Sequence, residues 1–376
     1  MTLPLLLTLL TAVGHSPRPA VPFAAVEATV RRGIRQGIYP GAVVVVGRRD
    51  TVLYSKGFGH LTWARKAPTP SPESTRWDLA SLTKVVATTS AVLVLVERGQ
   101  VNLDAPVARY LPRFTGEGRE RVTVRMLLDH TSGLPAYVPF FRLAANRDAA
   151  IDLLYREPLV RAPGLSADYS DLNAMLLGLL VEAVSGAPLD RFAASEVFTP
   201  LGMTATLFAP SLPAGASIAP SRSLAGRPEP GRVNDENSFL LGSVAGHAGL
   251  YSTGADLARY AQAWLRGGAT SVGRWASPET LQEFLRLSPA SGSRALGWDT
   301  PEQGGPNPSV FGKLAGAGTY GHTGWTGTMM WIDPDRDLFL VFLTNRSLDP
   351  RARRSIKALR ALRGRLSEQV DMAAVR

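Results

Sequence analysis

The first clear hydrophobic pattern in the chain is an apolar run followed by a polar turn and a second run. Residues 41–47 read Gly-Ala-Val-Val-Val-Val-Gly, residues 48–50 are Arg-Arg-Asp, and residues 51–57 resume with Thr-Val-Leu-Tyr-Ser-Lys-Gly. Two such runs around a turn are typical of a β-hairpin, and a run without polar residues is typical of a strand buried on both faces. We therefore predict that a sheet begins here.

A similar pattern returns near the end of the chain. Residues 328–332 (Thr-Met-Met-Trp-Ile) and 338–345 (Leu-Phe-Leu-Val-Phe-Leu-Thr-Asn) flank the turn Asp-Pro-Asp-Arg-Asp at 333–337. This pattern predicts a second hairpin. We expect the two ends of the chain to share one antiparallel sheet.

The middle of the chain has helical patterns instead. Residues 82–98 are rich in Val, Leu and Ala and contain no Gly or Pro, and residues 171–184 form a second apolar run that Ser185-Gly186 closes. A third helix is predicted to begin at Thr253, whose hydroxyl can cap it together with Asp256. Residues 210–233 are dense in Pro, Ser, Gly and Arg, so we predict a long surface loop there.

Composition and charge narrow the class of protein. The chain has 376 residues, of which 45% are hydrophobic and 19% charged, as is typical of a globular enzyme. Its formal net charge is +10, and positive charge concentrates in residues 351–365. Apolar residues recur there at helical spacing, which favours a packed terminal helix with a solvated basic face; they are Ile356, Leu359, Leu362 and Leu366. A phosphate- or membrane-binding patch is the alternative, and nucleic acid is not an expected partner.

The chain contains no cysteine, which excludes disulfides, cysteine-ligated zinc and thiol catalysis. Residues 1–14 hold a short apolar run that ends in Ala-Val-Gly, although no Lys or Arg precedes it. We expect residues 1–20 to be a signal peptide or else a frayed N-terminus, and the protein to be secreted or periplasmic, otherwise cytoplasmic. No later apolar stretch reaches the roughly 18 residues that span a bilayer, so stable membrane insertion is not expected.

The candidate chemistry begins at Ser81 and Lys84, three residues apart at the start of the first predicted helix. This spacing places both side chains on one helix face. A lysine can accept the proton of a serine nucleophile if burial and the positive end of a helix lower its pKa. The free N–H group of Ser81 can stabilise the oxyanion that forms on the attacked carbonyl. Such a pair also arises by chance, and it is then usually solvated.

Further motifs follow this pair in an order and at separations that fit one family. They are Tyr169-Ser-Asp171, His322-Thr323-Gly324, and residues 127–135 (Leu-Leu-Asp-His-Thr-Ser-Gly-Leu-Pro), 246–252 (Gly-His-Ala-Gly-Leu-Tyr-Ser) and 321–327 (Gly-His-Thr-Gly-Trp-Thr-Gly). On these motifs nearly the whole chain resembles the serine β-lactamase-like and penicillin-binding-protein superfamily, within it the class C β-lactamase and esterase branch.

The resemblance implies an α+β fold of the β-lactamase/transpeptidase type. An antiparallel sheet flanked by helices would stand beside a mostly helical subdomain, with the active site in the cleft between them. Residues 21–376 would form this single catalytic domain, with an α/β part at about 21–78 and 235–376 and a helical part at about 79–234.

By position, the resemblance implies that Ser81 is the acylated nucleophile, Lys84 its base, and Tyr169 the phenol that relays a proton to the leaving group. The N–H groups of Ser81 and Trp325 would form the oxyanion hole. A nearby ammonium is expected to lower the pKa of Tyr169. The positions in contact with substrate would be Asp171, Asn173, His322, Thr323 and Gly324. No metal and no cofactor are implied.

Two residues depart from the family pattern. Asp171 stands where the family often has Asn, with Asn173 as an alternative donor, and an ionised Asp171 would keep Lys84 protonated. The base is therefore left open between Lys84 and Tyr169. His322 replaces a lysine whose permanent charge would hold a substrate carboxylate, although a protonated imidazole would partly replace that charge. β-Lactam hydrolysis is correspondingly less expected.

Together these observations predict a serine hydrolase that forms an acyl-enzyme on the carbonyl of a small ester, amide or peptide, including D-amino-acid peptides. The alternatives are a β-lactamase or DD-peptidase, or a catalytically silent relative that binds cell-wall fragments. His130 and His247 lie in Gly- or Ser-rich turns and are expected to be structural. The sequence leaves the oligomeric state open.

Overall fold

The computed structural model describes residues 23–271, 273–302, 309–348 and 356–374, so the predicted signal peptide lies outside the described residues. The α-helices are α1 (Ala24–Arg35), α2 (Ser90–Glu97), α3 (Val124–Leu128), α4 (Phe140–Leu143), α5 (Arg147–Arg156), α6 (Asp171–Ser185), α7 (Leu189–Ala193), α8 (Glu236–Leu240), α9 (Gly254–Leu265), α10 (Pro278–Phe284) and α11 (Ile356–Ala374). Lys84–Thr89 and Ala194–Phe198 are π-helical, and 3-10 turns lie at Val107–Arg109, Arg119–Arg121 and Ala209–Ser211.

The strands are β1 (Gly41–Arg48), β2 (Thr51–Gly59), β3 (Arg76–Asp78), β4 (Leu207–Phe208), β5 (Ile218–Ala219), β6 (Ser223–Leu224), β7 (Arg227–Pro228), β8 (Leu250–Ser252), β9 (Ala269–Thr270), β10 (Gly273–Arg274), β11 (Tyr320–Thr323), β12 (Met329–Asp333) and β13 (Leu338–Thr344). A five-stranded sheet has the order β11-β12-β13-β1-β2. All of its neighbouring strands are antiparallel, and Ala42 of β1 lies opposite Thr344 of β13. Both predicted hairpins and their shared sheet are confirmed.

Strand β1 is buried on both faces because a layer of helices covers each face of the sheet. Val43 and Val45 belong to one core with the helices of the middle of the chain, and Val44 and Val46 belong to a second core with α1 and α11. Side chains alternate across a strand, so four consecutive valines supply both cores. The α+β fold class predicted from the sequence is confirmed.

The terminal helix agrees with its prediction in part. Its fully buried apolar stripe lies in the second core and consists of Leu359, Leu362, Leu366 and Val370. Ile356, which was predicted to extend this stripe, is 40% exposed at the first turn. The prediction was also wrong about Arg363, which is only 3% exposed and lies against the sheet instead of on the solvated face. Residues 351–355 of the basic stretch lie outside the described residues.

The helix predicted at residues 82–98 departs from α-helical geometry in its first half. Lys84–Thr89 are π-helical, and the α-helix α2 begins only at Ser90. A π-helix is closed by backbone hydrogen bonds between residues five apart, and the Ser90 hydroxyl adds a side-chain bond to the Val85 carbonyl at 2.9 Å. A π-helical segment widens the turn that carries Lys84. The other two predicted helices are confirmed as α6 and α9.

The predicted loop at residues 210–233 is mostly irregular and contains only the short strands β5, β6 and β7. A small sheet of order β4-β8-β3-β5 lies beside it, and its strand β3 leads directly to Ser81.

Among the described residues no single helix is long and apolar enough to cross a bilayer, although the bent pair Asp171–Ser185 and Leu189–Phe198 passes by length and composition. The division into parts near residues 79 and 234 stays a prediction.

Candidate active site

Ser81 is held at the end of a strained connection between strand β3 and the first helix. Ala80, the residue before it, has a φ of 47°, in the left-handed region that non-glycine residues rarely adopt. The Asp78 carboxylate accepts the Ala80 N–H at 2.9 Å and is itself held by the Ser221 hydroxyl at 2.9 Å and the Asn234 N–H at 2.8 Å. This buried network stabilises the unusual backbone and fixes where Ser81 lies.

Lys84 lies at the centre of the site, where its ammonium group has two hydrogen-bond acceptors and one carboxylate as neighbours. Its Nζ lies 2.7 Å from Asp171 Oδ1 and donates to Ser81 Oγ and to the His247 carbonyl, both at 3.1 Å. The Lys84 side chain is 4% exposed and that of Asp171 is 18% exposed. The structure therefore brings together Ser81, Lys84 and Asp171, with Lys84 as the link between the other two.

This geometry keeps Lys84 protonated. Burial alone would lower the pKa of Lys84, but the Asp171 carboxylate and the Tyr169 hydroxyl together raise it above its ordinary value. The expectation that burial and the helix N-terminus leave Lys84 with a lowered pKa is therefore wrong. The second expectation, that an ionised Asp171 keeps Lys84 charged, agrees with the ion pair.

The Tyr169 ring is enclosed by charged and aromatic groups. Lys84 Nζ lies 5.1 Å and the Arg294 guanidinium 5.0 Å from its centroid, while the rings of His130 and His322 lie at 4.7 and 5.9 Å. Burial raises the pKa of the Tyr169 hydroxyl, and the charge of Lys84 only partly opposes this effect. The expected net lowering of this pKa is wrong, because burial outweighs the ammonium. Tyr169 is therefore a neutral phenol that can donate a proton.

His322 is neutral in this site. Its ring is 3% exposed, its Nδ1 lies 2.8 Å from the Thr323 carbonyl, and its buried Nε2 has no partner among the described residues. Burial lowers the pKa of His322 to about 4, although Asp299 opposes this. The expectation that a protonated imidazole replaces the charge of the missing lysine is therefore wrong at neutral pH.

The turn that follows strand β11 is tied to the segment before Ser81. The Thr326 hydroxyl donates to the Asp78 carbonyl at 2.8 Å, and the Thr328 hydroxyl donates to the Leu79 carbonyl at 2.9 Å. Gly324 lies so close that an added Cβ would be 2.5 Å from the Leu79 oxygen. Only glycine fits where two backbone segments approach in this way.

These ties bring the two predicted oxyanion donors to one end of the site. Within the described part of the chain, neither the Ser81 N–H nor the Trp325 N–H donates to a protein acceptor. The Trp325 side chain is 59% exposed at the rim. Two unpaired N–H groups on segments that are bonded to each other can receive the oxygen of an attacked carbonyl.

Asn173 is placed differently from the substrate-binding role suggested by the sequence. It is fully buried, its Oδ1 accepts the Ser132 hydroxyl at 2.6 Å, and its Nδ2 donates to His130 Nδ1 at 3.0 Å. His130 Nδ1 also accepts the Ser170 N–H at 3.2 Å. Because its amide is committed to these partners, Asn173 supports the wall behind Tyr169, and we do not carry it into the substrate site.

Sequence reasoning missed Arg294, Asp299 and Asp235. Arg294 pairs with Asp299 beside Tyr169, and Asp235 lies 2.8 Å from Nε2 of the buried His247, whose carbonyl contacts Lys84. Arg294 and Asp299 belong to no motif, and only the fold brings their irregular segment to the site. No three His, Asp or Glu side chains in the described ranges are grouped so that they could hold a metal ion.

Comparison with known proteins decides the family. A family model described as Beta-lactamase matches residues 26–365. The chain belongs to this family. A provisionally named D-alanyl-D-alanine carboxypeptidase of Escherichia coli (strain K12) is 32% identical over 347 residues, which cover 83% of this chain and 80% of that protein. The predicted class, a serine hydrolase related to β-lactamases, is confirmed at the level of the family.

Several solved structures share the fold of this chain. EstCE1, described as a hydrolase with promiscuous acyltransferase activity, superposes with a TM-score of 0.72 at 23% identity, covering 92% of this chain and 98% of that one. A penicillin-binding protein homologue from Caulobacter crescentus gives 0.72 at 22% identity, with 93% and 97% covered. A class C β-lactamase from Rhodobacter sphaeroides gives 0.70 at 21% identity, with 94% and 99% covered.

Proposed function

We propose that the protein hydrolyses small esters and D-amino-acid amides through an acyl-enzyme at Ser81. The observation that carries the proposal is the position of Lys84, whose Nζ lies between Ser81 Oγ at 3.1 Å and Asp171 Oδ1 at 2.7 Å. A serine hydroxyl becomes a nucleophile when a neighbouring group takes its proton. A lysine in contact with both a serine and a carboxylate can pass that proton on.

In the first step Ser81 Oγ bonds to the substrate carbonyl carbon and its proton moves to Lys84. One ammonium proton of Lys84 moves to the Asp171 carboxylate at the same time, so Lys84 stays charged and the Lys84–Asp171 pair acts as the base. The carbonyl oxygen takes up the electron pair and accepts hydrogen bonds from the Ser81 and Trp325 N–H groups.

In the second step the bond from carbon to the leaving group breaks. The Tyr169 hydroxyl gives its proton to the leaving group, and Lys84 returns the proton stored on Asp171 to Tyr169. A neutral Tyr169 suits this task, because burial keeps the phenol protonated. Water then bonds to the acyl carbon and gives a proton to Tyr169, whose own proton moves through Lys84 to Asp171. When the bond from that carbon to Ser81 Oγ breaks, Lys84 returns the proton to Ser81 and the acid is released.

Substrates without a free carboxylate beside the reacting carbonyl fit this site best. His322 is neutral because burial lowers its pKa to about 4, and the charge of Arg294 is balanced by its ion pair with Asp299. Among the described residues that flank the Tyr169 ring, the carboxylate of a β-lactam would therefore meet no unpaired cation. This favours esters and amides over β-lactams.

A DD-carboxypeptidase is the second candidate, and Arg294 favours it. The curated relatives carry this provisional name, and a peptide that ends in D-alanine presents a carboxylate near the scissile bond. Arg294 lies 5.0 Å from the Tyr169 ring and remains partly exposed. It would bind that carboxylate if Asp299 released it.

The test is a set of substrates assayed with the parent and with Ser81→Ala. We expect turnover of p-nitrophenyl butyrate and D-alanine p-nitroanilide, slow turnover of nitrocefin, and no turnover by Ser81→Ala. Nitrocefin hydrolysis at rates equal to the ester would overturn the substrate preference. Selective cleavage of a D-alanyl-D-alanine peptide that Arg294→Gln abolishes, with ester hydrolysis intact, would favour the second candidate.

We also propose that the protein acts outside the cytoplasm, on the basis of the apolar run in residues 1–14. In a Gram-negative host the expected result is a periplasmic protein whose N-terminus has lost residues before about position 20. Recovery of the intact N-terminus from the cytoplasmic fraction alone would contradict export.

A further inference from the structure

We propose that Arg363 is a positioning residue for acyl transfer: its buried guanidinium holds and polarises the peptide unit between Gly324 and Trp325, whose N–H belongs to the oxyanion hole. This inference rests on the proposed function, because it needs an oxyanion at that N–H. Arg363 comes from the terminal helix α11, far along the chain from every motif of the active site.

The contacts of Arg363 are specific. Its Nη2 donates to the Gly324 carbonyl at 2.9 Å and to the Thr328 carbonyl at 2.7 Å. The Gly324 N–H in turn donates to the Thr328 carbonyl at 2.8 Å. One guanidinium nitrogen therefore clamps both ends of the turn that carries Trp325.

The geometry of the peptide bond links this clamp to the oxyanion hole. The Gly324 carbonyl and the Trp325 N–H belong to the same planar unit, and in a trans peptide they point in opposite directions. A donor that fixes the carbonyl oxygen therefore also fixes the direction of the N–H. A positive charge on that oxygen polarises the unit, and such coupling strengthens hydrogen bonds by roughly 10–30%.

Arg363 is buried, and the carbonyl groups of Gly324 and Thr328 supply the acceptors that its guanidinium needs there. Its side chain is 3% exposed, and within the described ranges it forms no ion pair with a carboxylate. Burial lowers the pKa of Arg363 to about 9, and the nearby charges of Arg346 and Arg360 act in the same direction. Burying an unpaired cation is unfavourable, whereas an apolar side chain would fill the same space among the core leucines of α11.

Arg346 supports the same turn from the rim. Its Nη1 donates to the Trp325 carbonyl at 3.3 Å, and its guanidinium lies 5.0 Å from the centre of the Trp325 ring. The carbonyl groups on both sides of the Trp325 residue are thus held by cations.

The experiment compares Arg363→Met and Arg363→Lys with Arg365→Met, a control that removes an exposed arginine from the same helix. Ester hydrolysis gives kcat and KM, and binding of phenylboronic acid reports the tetrahedral adduct of Ser81. Acetophenone binding reports the ground-state pocket, and thermal unfolding reports the fold.

In Arg363→Met we expect kcat and boronate affinity to fall about 10- to 100-fold, with KM and acetophenone affinity within about threefold of the parent values. For Arg363→Lys we expect kcat and boronate affinity between those of the parent and those of Arg363→Met. For Arg365→Met we expect both to match the parent.

Parent-like kcat and boronate affinity in a folded Arg363→Met would overturn the inference. So would an equal loss of boronate and acetophenone affinity, because a misplaced pocket would weaken both. If Arg363→Met does not fold, the test uses Arg363→Lys, and the loss of boronate affinity in that variant is compared with its loss of acetophenone affinity. A parent that neither hydrolyses esters nor binds the boronate would remove the proposed function and this inference together, whereas an active parent with an unaffected variant would remove the inference alone.

Discussion

The substitution Asp171→Asn tests how the site removes the proton of Ser81. It replaces the carboxylate 2.7 Å from Lys84 Nζ with an amide of nearly the same shape. The amide can still accept a hydrogen bond from Lys84, but it cannot hold a second proton. The change therefore removes the proposed proton acceptor and leaves the packing of α6 intact.

The magnitude follows from the distance. Two unit charges 2.7 Å apart attract by about 6 kcal/mol at an effective dielectric constant of about 20. Part of this attraction is offset by the burial that opposes charge on Lys84. A partner at this range typically moves a pKa by about 1–3, so the pKa of Lys84 should fall by that amount, equivalent to about 1.4–4 kcal/mol.

The assay is the pH dependence of kcat/KM for ester hydrolysis. In the parent the Lys84–Asp171 pair accepts the proton while Lys84 stays charged, so activity is present at neutral pH. In Asp171→Asn only a neutral Lys84 can accept it, and the ordinary pKa of lysine is about 10.4. The acidic limb should move to higher pH, and kcat/KM at pH 7 should fall by about 10- to 1,000-fold.

The opposite shift would refute this reasoning. If neutral Lys84 were the base in the parent, its raised pKa would already limit the rate at pH 7. Asp171→Asn would then move the acidic limb to lower pH and increase activity. The control is Asp168→Asn, the same chemical change at a carboxylate that is 38% exposed and paired with Arg161, which should leave the profile unchanged.

Three further predictions concern pH, the second core and the approach to Ser81. Because the pKa of His322 is lowered from 6.5 to about 4, its contribution to stability is fully present above pH 6.5 and is lost as pH falls toward 4. Between pH 7 and 4 the free energy of unfolding should therefore fall by about 3 kcal/mol more in the parent than in His322→Gln, and equal falls would count against the assignment. Leu362→Ala should lower that free energy by about 2–5 kcal/mol in urea titration, because Leu362 is fully buried; a loss under 1 kcal/mol would contradict its core position. Asp78→Asn should cost about 1–3 kcal/mol and lower kcat, because the new amide group meets the Asn234 N–H; unchanged kcat would show that Ala80 does not need this carboxylate.

The parts of the fold that were predicted correctly from the sequence depend on local patterns of residues. The valine run of β1 and the late hairpin are set by side-chain alternation and turn residues, which act over a few positions. Ser81 and Lys84 meet because both belong to one helical turn, so their contact at 3.1 Å needs no distant partner. Thr253 capping α9 is a local effect of the same kind.

What the sequence did not predict depends on groups that only the fold brings together. The raised pKa of Lys84 results from Asp171, and the low pKa of His322 results from burial, and neither environment is visible from sequence spacing. The sequence pattern predicts that Arg363 lies on the solvated face of a basic helix. In the structure its guanidinium instead donates to the Gly324 carbonyl. Asn173 follows Asp171 by two residues in α6, yet its amide contacts His130 and not the site beside Lys84.

The most direct test of the central claim is intact-mass spectrometry after incubation with a fluorophosphonate, followed by peptide mapping. We expect the parent to gain the mass of one phosphonyl group, located on the peptide that contains Ser81, and Ser81→Ala to gain none. A parallel incubation with benzylpenicillin should give a slower or smaller gain at the same serine. A folded parent that gains no mass from the fluorophosphonate, or gains it equally in Ser81→Ala, would contradict acyl transfer at Ser81.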